Sequence, residues 1–406
     1  MSDANGTGRP RHWCLTGGWF DSPNVGDNAL LLGIVESLGR TTPSRFTVLT
    51  PDPARLERLY GLSALAPRKH PLKLVRLLWS VDTLVFTGGS PFFDHVAQML
   101  YCAALTAVAW LAGVKVIVWA IWLRPLENRL CRILVRWICR QSAYLSGRDM
   151  QTVNALSELV WGENPVEFVP DPATRLMPLP MEQARALLRE QGISTDRGVV
   201  AICLRGFRAG SAFGVHHYDS RFSPQQVDAY LEAIRCLVRT LLRETDRTIV
   251  FVPMHTVEPD DDRRPAVAVV EGLDCGADQS RVKVLLQQYQ AAEMKAMLGL
   301  MDVVVGVRFH ALLLASSMAT PVIGVSYASK NESLMDLLGQ RERLVRLQEV
   351  SGEGLSRRVL DALAQQGQIR ADLKQRAEMF SAAYDGQLSR IVTLVTGPAR
   401  VGSLSI

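Results

Sequence analysis

The sequence has few cysteines and no spacing that would make them a metal or disulfide framework. Their number, seven, is odd, several lie inside apolar runs, and no two are arranged as CxxC. They are Cys14, Cys102, Cys131, Cys139, Cys203, Cys236 and Cys275. This pattern favours reduced thiols buried as small hydrophobic side chains over a zinc site or a disulfide scaffold.

Strong charge imbalance and targeting patterns are also missing. The 406 residues include 45 basic and 40 acidic side chains, with 48% apolar and 21% charged residues, which is typical of a globular protein rather than a disordered chain. No block of Lys and Arg is interleaved with aromatics, so we expect no nucleic-acid partner. The polar first fifteen residues lack a secretory pattern, and we expect a cytoplasmic location.

One long uncharged run, residues 96–114, approaches the length of a membrane-spanning helix. The following "VKVIVWAI" has the β-branched character of a buried strand, and Gly113 stands where a helix would end. We therefore predict a buried helix, a turn and a strand. The stretch "LCRILVRWICR", residues 130–140, places arginines on one helical face. This face either rests on a membrane surface or, in the favoured interpretation, is exposed to solvent.

Short apolar strands alternate with amphipathic helices along the chain, as in doubly wound parallel sheets. A first series of about five strands runs from "HWCLTG" to "AYLSG". Five prolines in residues 165–180 predict a linker, after which the alternation restarts. We predict an α/β, GT-B-like fold with two Rossmann-type domains, residues 1–178 and 179–406, facing a cleft.

Two glycine turns follow predicted strands of the first domain. Gly17 and Gly18 belong to "TGGWFDSPNVGDNALLLGIVESL", and Gly88 and Gly89 belong to "TGGSPFFD". Bare backbone can approach a ligand at such turns, although the Walker pattern with its Lys-Ser/Thr is missing. Tight packing of each strand against its helix explains the glycines equally well.

The second domain has a sharper signal at its strand ends. Arg308 and His310 close the β-branched run "DVVVGVRFH", and Arg205 closes "VVAICLRG". A buried guanidinium needs an anion, and its planar fork suits a carboxylate or a phosphate. The structural alternative is a salt bridge from Arg308 to an aspartate such as Asp302 or Asp336. Two strand-end arginines favour a substrate with at least two negative charges, and His310 is a candidate proton donor.

These stretches, together with "LSGRD", "VPDPA", "VPMH" and "VGVRFHALLLASSMATPVIGVSYASK", occur in the order and spacing of the polysaccharide pyruvyltransferase family. The chain resembles that family over residues 12–345, most specifically around "RFH". The resemblance implies a GT-B-like enzyme that transfers the enolpyruvyl unit of phosphoenolpyruvate to two hydroxyls of a sugar, forming a cyclic ketal and releasing phosphate. It requires neither a metal nor another cofactor.

The resemblance also implies that Arg308, His310 and Arg205 hold phosphoenolpyruvate, with His310 protonating its methylene carbon. Asp27 or Asp94, expected on the opposite domain, is the predicted base, although either carboxylate is equally suited to capping its helix. The remaining predicted substrate contacts are Phe309 and Lys330 on the donor side and Gly17, Gly18, Asn24, Gly26, Gly88, Gly89, Ser90, Trp122 and Arg124 on the acceptor side.

The chain differs from the family at "WAIWLRPL", residues 119–126, where a glycine-rich turn is expected. We predict that Trp122 offers a flat face to a sugar or lipid-linked acceptor and that Arg124 meets an acceptor phosphate. The alternative is that the tryptophans fill the core, which is the favoured interpretation for Trp119.

The leading prediction is a pyruvyltransferase acting on a lipid-linked or nucleotide-linked saccharide in exopolysaccharide or cell-envelope assembly, with at most peripheral contact with the inner face of the membrane. A GT-B glycosyltransferase using a nucleotide sugar is the enzymatic alternative. It would need an acidic ribose and diphosphate site, and the best acidic cluster, Glu258 to Asp262, is expected to be solvated. A non-catalytic sugar-binding relative is the third hypothesis.

Overall fold

A computed structural model of the protein describes residues 9–207, 222–258, 260–274 and 276–397. The chain forms two compact units. The first runs to Ser22, resumes over Leu30–Arg175 and includes the chain from Ser381 onward, whereas the second comprises Pro23–Ala29 and Leu176–Phe380. The division falls at 175/176 rather than at 178/179. It also differs from the prediction in assigning the start of the first helix to the second unit and the C-terminal segment to the first.

The first unit is built on a parallel sheet whose described strands number seven. In chain order the strands are β1 (Arg11–Thr16), β2 (Ser44–Leu49), β3 (Ser63–Leu65), β4 (Thr83–Phe86), β5 (Lys115–Ile121), β6 (Tyr144–Gly147) and β7 (Val166–Phe168). The helices between them are α1 (Val25–Thr41), α2 (Pro53–Tyr60), α3 (Pro71–Leu78), α4 (Val96–Leu111), α5 (Arg129–Gln141) and α6 (Met150–Val160). The strand order β3-β2-β1-β4-β5-β6-β7 reverses direction between β1 and β4.

The second unit repeats this plan with six described strands. They are β8 (Val199–Cys203), β9 (Thr248–Phe251), β10 (Val282–Val284), β11 (Val303–Gly306), β12 (Val322–Ser326) and β13 (Leu344–Arg346). The helices are α7 (Met181–Glu190), α8 (Pro224–Glu244), α9 (Arg263–Glu271), α10 (Ala291–Gly299), α11 (Phe309–Ser317), α12 (Ser329–Leu337), α13 (Gly352–Ala364) and α14 (Gln366–Thr396). The order β10-β9-β8-β11-β12-β13 reverses between β8 and β11. The predicted pair of doubly wound parallel sheets is therefore confirmed.

The predicted linker is only partly a linker. Residues 165–180 contain β7, which pairs with β6, and a short 3-10 helix, Pro172–Arg175. Asp171 in this stretch forms a buried ion pair with Arg148, with Nη1 and Oδ2 separated by 2.7 Å and both side chains 3% exposed. The motifs "LSGRD" and "VPDPA" thus meet in a structural contact within the first unit.

The uncharged run at residues 96–114 forms α4 and the turn that follows it. Gly113 has a φ of 70°, as expected just after a helix end, and β5 begins at Lys115. The helix, turn and strand are therefore confirmed. Within the described part of the chain, no helix is long and apolar enough to cross a membrane. The expectation that α4 is buried is wrong for its outer face, where Leu100, Trp110 and Leu111 are exposed.

The described cysteines have the expected character. Cys14, Cys102, Cys131, Cys139 and Cys203 are buried free thiols, and Cys236 is a partly buried one. Cys275 lies outside the described residues.

Candidate functional site

The candidate site lies where the strand order of the second unit reverses. At this point neighbouring connections leave the sheet in opposite directions and open a crevice at the carboxyl ends of β8 and β11. Arg205 follows β8 by two residues, and Arg308 follows β11 by two residues. The adjacent strand β12 is followed by Tyr327 and Lys330, so four polar or charged side chains converge on one edge of the sheet.

Arg308 is fixed by a two-pronged contact with Asp262. Its Nε lies 3.0 and 3.1 Å from Oδ1 and Oδ2, and its Nη2 lies 2.5 Å from Oδ1. Asp262 is fully buried as a side chain and also accepts the backbone N–H groups of Met254 and His255. Nη2 donates further to the carbonyl of Asp260, at 3.0 Å. The guanidinium therefore has a set orientation before any ligand arrives.

This arrangement corrects two expectations. Arg308 has an aspartate partner, but the partner is neither Asp302, which pairs with Arg247, nor Asp336, which pairs with Arg341. The acidic cluster at residues 258–262 is not wholly solvated, because Asp262 lies in the core. Burial disfavours the charged guanidinium, but the charge and hydrogen bonds of Asp262 outweigh it and raise the pKa of Arg308. Arg308 therefore remains a cation at any physiological pH.

The position of Arg308 also differs from the prediction of a strand end. Strand β11 stops at Gly306, Arg308 is the N-cap residue of α11, and His310 lies in the first helical turn. The N-terminus of a helix carries partial positive charge and free N–H groups, which favours anions. The helix terminus therefore adds to the charge of Arg308.

Arg205 and Lys330 surround the ring of Tyr327. Arg205 is 3% exposed, and its guanidinium carbon lies 4.6 Å from the centre of the Tyr327 ring. The Lys330 ammonium lies 5.2 Å from the same centre and hydrogen-bonds Tyr327. Phe207 packs edge-on against the ring at 5.8 Å and lies 5.4 Å from Arg205. These contacts hold two cations beside one phenol.

The cations change the acidity of Tyr327. Burial would raise its pKa, but the charges of Lys330, Arg205 and Arg308 act in the opposite direction and lower the pKa to about 7. Burial raises the pKa of Tyr101, Tyr144, Tyr230, Tyr289 and Tyr384 instead. A cluster that lowers the pKa of a phenol to this extent is one that would also stabilise a bound anion.

His310 contacts the start of α1. A Cβ built on Gly26 would stand 1.9 Å from His310 Nδ1, so only glycine leaves room for the imidazole. Asn24 accepts the Gly26 N–H at 2.9 Å and donates to Asp27 Oδ2 at 3.1 Å. Phe309 packs edge-on against the imidazole at 5.1 Å. The "NVGD" stretch is thus brought to His310, and Asp27 lies in the same unit as His310 instead of the opposite one.

His255, in the motif "VPMH", also belongs to the site, although no role was predicted for it. It is buried, and its backbone N–H anchors Asp262 at 3.0 Å. Burial first, and then the charge of Arg308, lower the pKa of His255 to about 4. Its imidazole is therefore neutral at pH 7 and is a weaker base than that of an ordinary histidine.

The glycine loops of the first unit pack against each other. Gly17 and Gly88 have φ angles of 107° and 98°, which favour glycine. A Cβ on Gly17 would stand 2.5 Å from the Thr87 carbonyl oxygen, and one on Gly88 would stand 2.6 Å from the Gly18 Cα. The loops lie at the reversal between β1 and β4, but loop packing alone accounts for Gly17, Gly18 and Gly88. Gly89 accepts the Trp122 N–H at 3.1 Å.

Asp94 is not the N-cap of α4. That residue is His95, whose ring accepts the Gln98 N–H, and the hydroxyl of Ser90 donates to the Phe92 carbonyl. The Asp94 carboxylate instead accepts the backbone N–H of Glu127, at 2.6 Å, and that of Asn128. Asp94 therefore already has a structural role in joining two loops.

The segment at residues 119–126 is mostly interior. Trp119 is fully buried and stacks on Tyr384 at 5.9 Å, as expected for a core residue. Trp122 is also buried, which favours the core-filling alternative for this side chain too. Arg124 lies 5.7 Å from the Trp122 ring centre and 5.8 Å from that of Phe93. Ala120 has a φ of 49°, in the left-handed region that favours glycine. The backbone here therefore has a conformation typical of the expected glycine turn, although the residue is an alanine.

The second unit therefore brings together Arg205, Arg308, Phe309, His310, Lys330, Asn24, Gly26 and Asp27. Gly17, Gly18, Gly88, Gly89, Ser90, Asp94, Trp122 and Arg124 belong to the first unit. Asp262, Tyr327 and His255 are site residues that sequence reasoning missed. What the three residues share is their position in the fold. Tyr327 directly follows β12, and His255 and Asp262 lie in the loop after β9, where Asp262 anchors Arg308. No group of three or more His, Cys, Asp or Glu side chains that could hold a metal ion occurs in the described ranges.

Solved structures of similar fold include enzymes of nucleotide-sugar metabolism. The UDP-GlcNAc 2-epimerase from Methanocaldococcus jannaschii aligns with a TM-score of 0.62 at 14% identity, covering 94% of this chain and 99% of its own. S. aureus MnaA in complex with UDP aligns at 0.59 and 10% identity, covering 97% and 100%. Anabaena HepE in complex with UDP-glucose aligns at 0.55 and 12% identity, covering 95% and 100%. At these identities the likeness establishes the GT-B-like fold alone.

The family comparison is more specific than the fold. A family model described as polysaccharide pyruvyl transferase matches residues 24–329, which extend from the "NVGD" stretch at His310 to the start of α12 beside Tyr327. The match includes Arg205, Asp262, Arg308 and His310. The chain therefore belongs to the polysaccharide pyruvyl transferase family.

Proposed function

We propose that the protein is a cytoplasmic pyruvyltransferase that uses phosphoenolpyruvate and forms a pyruvate ketal on a saccharide. The observation that carries the proposal is the convergence of Arg205, Arg308 and Lys330 on one sheet edge, next to His310 at a helix N-terminus. Phosphoenolpyruvate has a carboxylate and a phosphate on a three-carbon unit. Several cations within one crevice match two anionic ends better than they match a neutral sugar.

In the proposed reaction, His310 in its protonated form donates a proton to the methylene carbon of phosphoenolpyruvate. C2 becomes electrophilic, and a sugar hydroxyl attacks it and loses its proton to a base. The C2–O bond to phosphate then breaks with its electron pair leaving on phosphate, and the second hydroxyl closes the ketal. The two hydroxyl protons are balanced by one proton on the new methyl group and one on the released phosphate.

Asp27 is the better of the two predicted bases. It follows Gly26, whose backbone touches His310, and its carboxylate is oriented by the amide of Asn24. Asp94, in contrast, binds the backbone of the loop before α5. We assign the base to Asp27, because the buried imidazole of His255, whose pKa is lowered to about 4, is a poor proton acceptor.

The acceptor is proposed to be a lipid-linked or nucleotide-linked saccharide of an exopolysaccharide or cell-envelope pathway. A nucleotide-sugar glycosyltransferase is the competing function, because UDP and UDP-glucose are bound by proteins of similar fold. The acidic cluster that such a site would use for the ribose is occupied here, since Asp262 holds Arg308 and Asp261 holds Arg263. This favours phosphoenolpyruvate as the donor.

We expect phosphoenolpyruvate to raise the melting temperature in the presence of a chelator, because a ligand held by fixed cations stabilises only the folded state. At a concentration of about 100 times Kd the gain is about 2.7 kcal/mol. Differential scanning fluorimetry with phosphoenolpyruvate, UDP-N-acetylglucosamine and a GDP-sugar provides the test. A shift with a nucleotide sugar and none with phosphoenolpyruvate would support the glycosyltransferase instead.

The two predicted donor-site residues have separable roles. Arg308→Lys should weaken phosphoenolpyruvate binding by about tenfold or more. The planar guanidinium of arginine can bind Asp262 and a ligand at the same time, whereas the ammonium of lysine lacks this geometry. His310→Ala should change the Kd by less than about threefold, since a proton donor acts mainly in the transition state. Isothermal titration of both variants measures these constants. Equal losses would assign His310 to binding rather than to proton transfer.

Phosphoenolpyruvate binding should also be coupled to protonation of Tyr327. At pH 8 the phenol is largely ionised because of Lys330, Arg205 and Arg308, and the incoming anion neutralises those charges and raises the pKa again. Arg308 itself binds the Asp262 carboxylate and the backbone carbonyl of Asp260, and Glu332, Arg346 and Glu349 line an open depression of about 400 Å³ with Tyr327.

We therefore expect uptake of about one proton per bound phosphoenolpyruvate at pH 8 and much less at pH 6, where the phenol is already protonated. Titration calorimetry in Tris and in HEPES measures this uptake from the difference in heat. Tyr327→Phe should abolish it while leaving the protein folded. Uptake that is unchanged in Tyr327→Phe would show that another group titrates.

A further inference from the structure

Helix α4 carries no charged residue in its sixteen positions, yet its outer face is not covered. Leu100, Trp110 and Leu111 are 50%, 57% and 67% exposed, and Ala97 and Ala104 lie on the same exposed side. A surface helix of a globular protein ordinarily has a polar outer face. An apolar stripe of this length indicates contact with something other than water.

The neighbouring helix α5 carries cationic side chains on its exposed side, in contrast to the apolar outer face of α4. Arg129, Arg132, Arg136 and Arg140 recur at helical spacing, and Ile133, which is 63% exposed, lies between them. On the other flank, α3 exposes Leu72 and Val75 beside Lys73 and Arg76. Together, the three helices contain six cations and no carboxylate.

The topology places these helices on one face of the first sheet. The chain passes from β3 to β4, β5 and β6 in one direction along the strand order, and right-handed crossovers then put α3, α4 and α5 on the same side. Contacts of α4 with both α3 and α5 agree with this placement. We call the outer side of α3, α4 and α5 the basic apolar face.

We propose that the basic apolar face docks on an anionic lipid surface. Its chemistry is that of an interfacial binding surface, in which apolar side chains enter the acyl boundary while arginines and lysines meet lipid phosphates. Tryptophans favour this level of a bilayer, and Trp79 and Trp110 are both 57% exposed at the ends of α3 and α4. This surface contact would be peripheral, since no described helix can span a membrane.

The connection after α6 extends this face. Trp161 is 73% exposed and occupies left-handed backbone with a φ of 55°, an unfavourable conformation for a bulky residue. Its ring lies 3.0 Å from the guanidinium carbon of Arg136, and the two residues help to line a surface depression of about 700 Å³ beside α5. An exposed tryptophan held against an arginine offers both an apolar and a cationic contact to a lipid headgroup.

A second copy of the chain fits this face poorly. In a symmetric dimer the six cations of one copy would approach the six of the other without a carboxylate on these helices to compensate them. Among the nearby acids, Glu163 pairs with Arg136 and Arg140 and Asp94 binds backbone N–H groups, so Glu127, just before α5, is outnumbered by Lys73, Arg76, Arg129 and Arg132. A surface with fixed negative charge complements the face, whereas a copy of itself repels it.

Docking on lipid would bring the enzyme to an acceptor carried on a lipid, and this extension alone rests on the proposed function. The lipid contact itself does not depend on it, because the basic apolar face lies in the first unit and the donor site lies in the second. Variants of the face should therefore retain the thermal shift with phosphoenolpyruvate. If the wild type itself shows no thermal shift with phosphoenolpyruvate, the proposed donor is wrong, but the proposed lipid contact is not affected.

The test is flotation of the full-length protein with vesicles of phosphatidylcholine containing about one third phosphatidylglycerol. We expect the protein to float with these vesicles at low salt and to bind pure phosphatidylcholine much more weakly. Arg129→Gln with Arg132→Gln should lower the partition coefficient about tenfold or more. Leu111→Ser with Ile133→Ser should lower it by a similar factor, because the apolar contact is lost.

The matched control is Arg239→Gln with Arg243→Gln on α8, where the arginines are 45% and 71% exposed. It removes the same charge from the second unit and should leave flotation within about twofold of the wild type. Failure of the wild type to float, or an equal loss in the control, would overturn the proposal. So would a dimer in light scattering that dissociates in Leu111→Ser with Ile133→Ser.

Discussion

The ion pair between Arg308 and Asp262 is the contact on which the candidate site depends. It joins the loop after β9 to the N-terminus of α11, two segments 46 residues apart in sequence. A buried carboxylate without its partner would be strongly destabilising, so the pair fixes both the loop and the guanidinium. The same carboxylate holds the backbone at Met254 and His255, and the carbonyl of Met254 accepts the Val25 N–H at the start of α1. Through these links, one aspartate orders the surroundings of His310.

The charge distribution explains why this edge of the sheet suits an anion. Asp262 neutralises part of the charge of Arg308, and the cations of Arg205 and Lys330 lie against the ring of Tyr327. Positive charge lowers the pKa of Tyr327 against the effect of burial, whereas burial first, and then the charge of Arg308, lower the pKa of His255. A ligand with several negative charges would be stabilised by these cations, as the proposed use of phosphoenolpyruvate requires.

The two sheets and the arginines that follow their strands could be predicted from sequence because those signals are local. A β-branched run followed by a charged residue marks a strand and the loop after it, as at Arg205 and Arg308. Strands β3, β7 and β13 are, like β10, only three residues long and too short for a periodic pattern, and β7 lies in a proline-rich stretch that was interpreted as a linker. Helices α13 and α14 follow the last predicted strand and were not anticipated.

Asp262 and Tyr327 escaped prediction for a different reason. Asp262 stands in a run of acids that is typical of a solvated loop, and only the fold buries it beneath Arg308. A tyrosine after an apolar strand is usually a core residue, and its role emerges only when Arg205 and Lys330 are placed beside it. Asp27 was assigned to the opposite domain because sequence order, not contact, decided the boundary. The glycine turns were ambiguous from sequence, and the close approach of Gly17 to Thr87 and of Gly88 to Gly18 gives them a structural explanation.

We propose that the second unit binds a ligand with two anionic ends at Arg205, Arg308 and Lys330. Isothermal titration with phosphoenolpyruvate, inorganic phosphate and pyruvate, each with a chelator present, is the direct test of this binding. We expect phosphoenolpyruvate to bind at least about tenfold more tightly than either fragment, because each fragment engages only one end of the site. Binding of inorganic phosphate as tight as that of phosphoenolpyruvate, or displacement of phosphoenolpyruvate by UDP-N-acetylglucosamine, would contradict it.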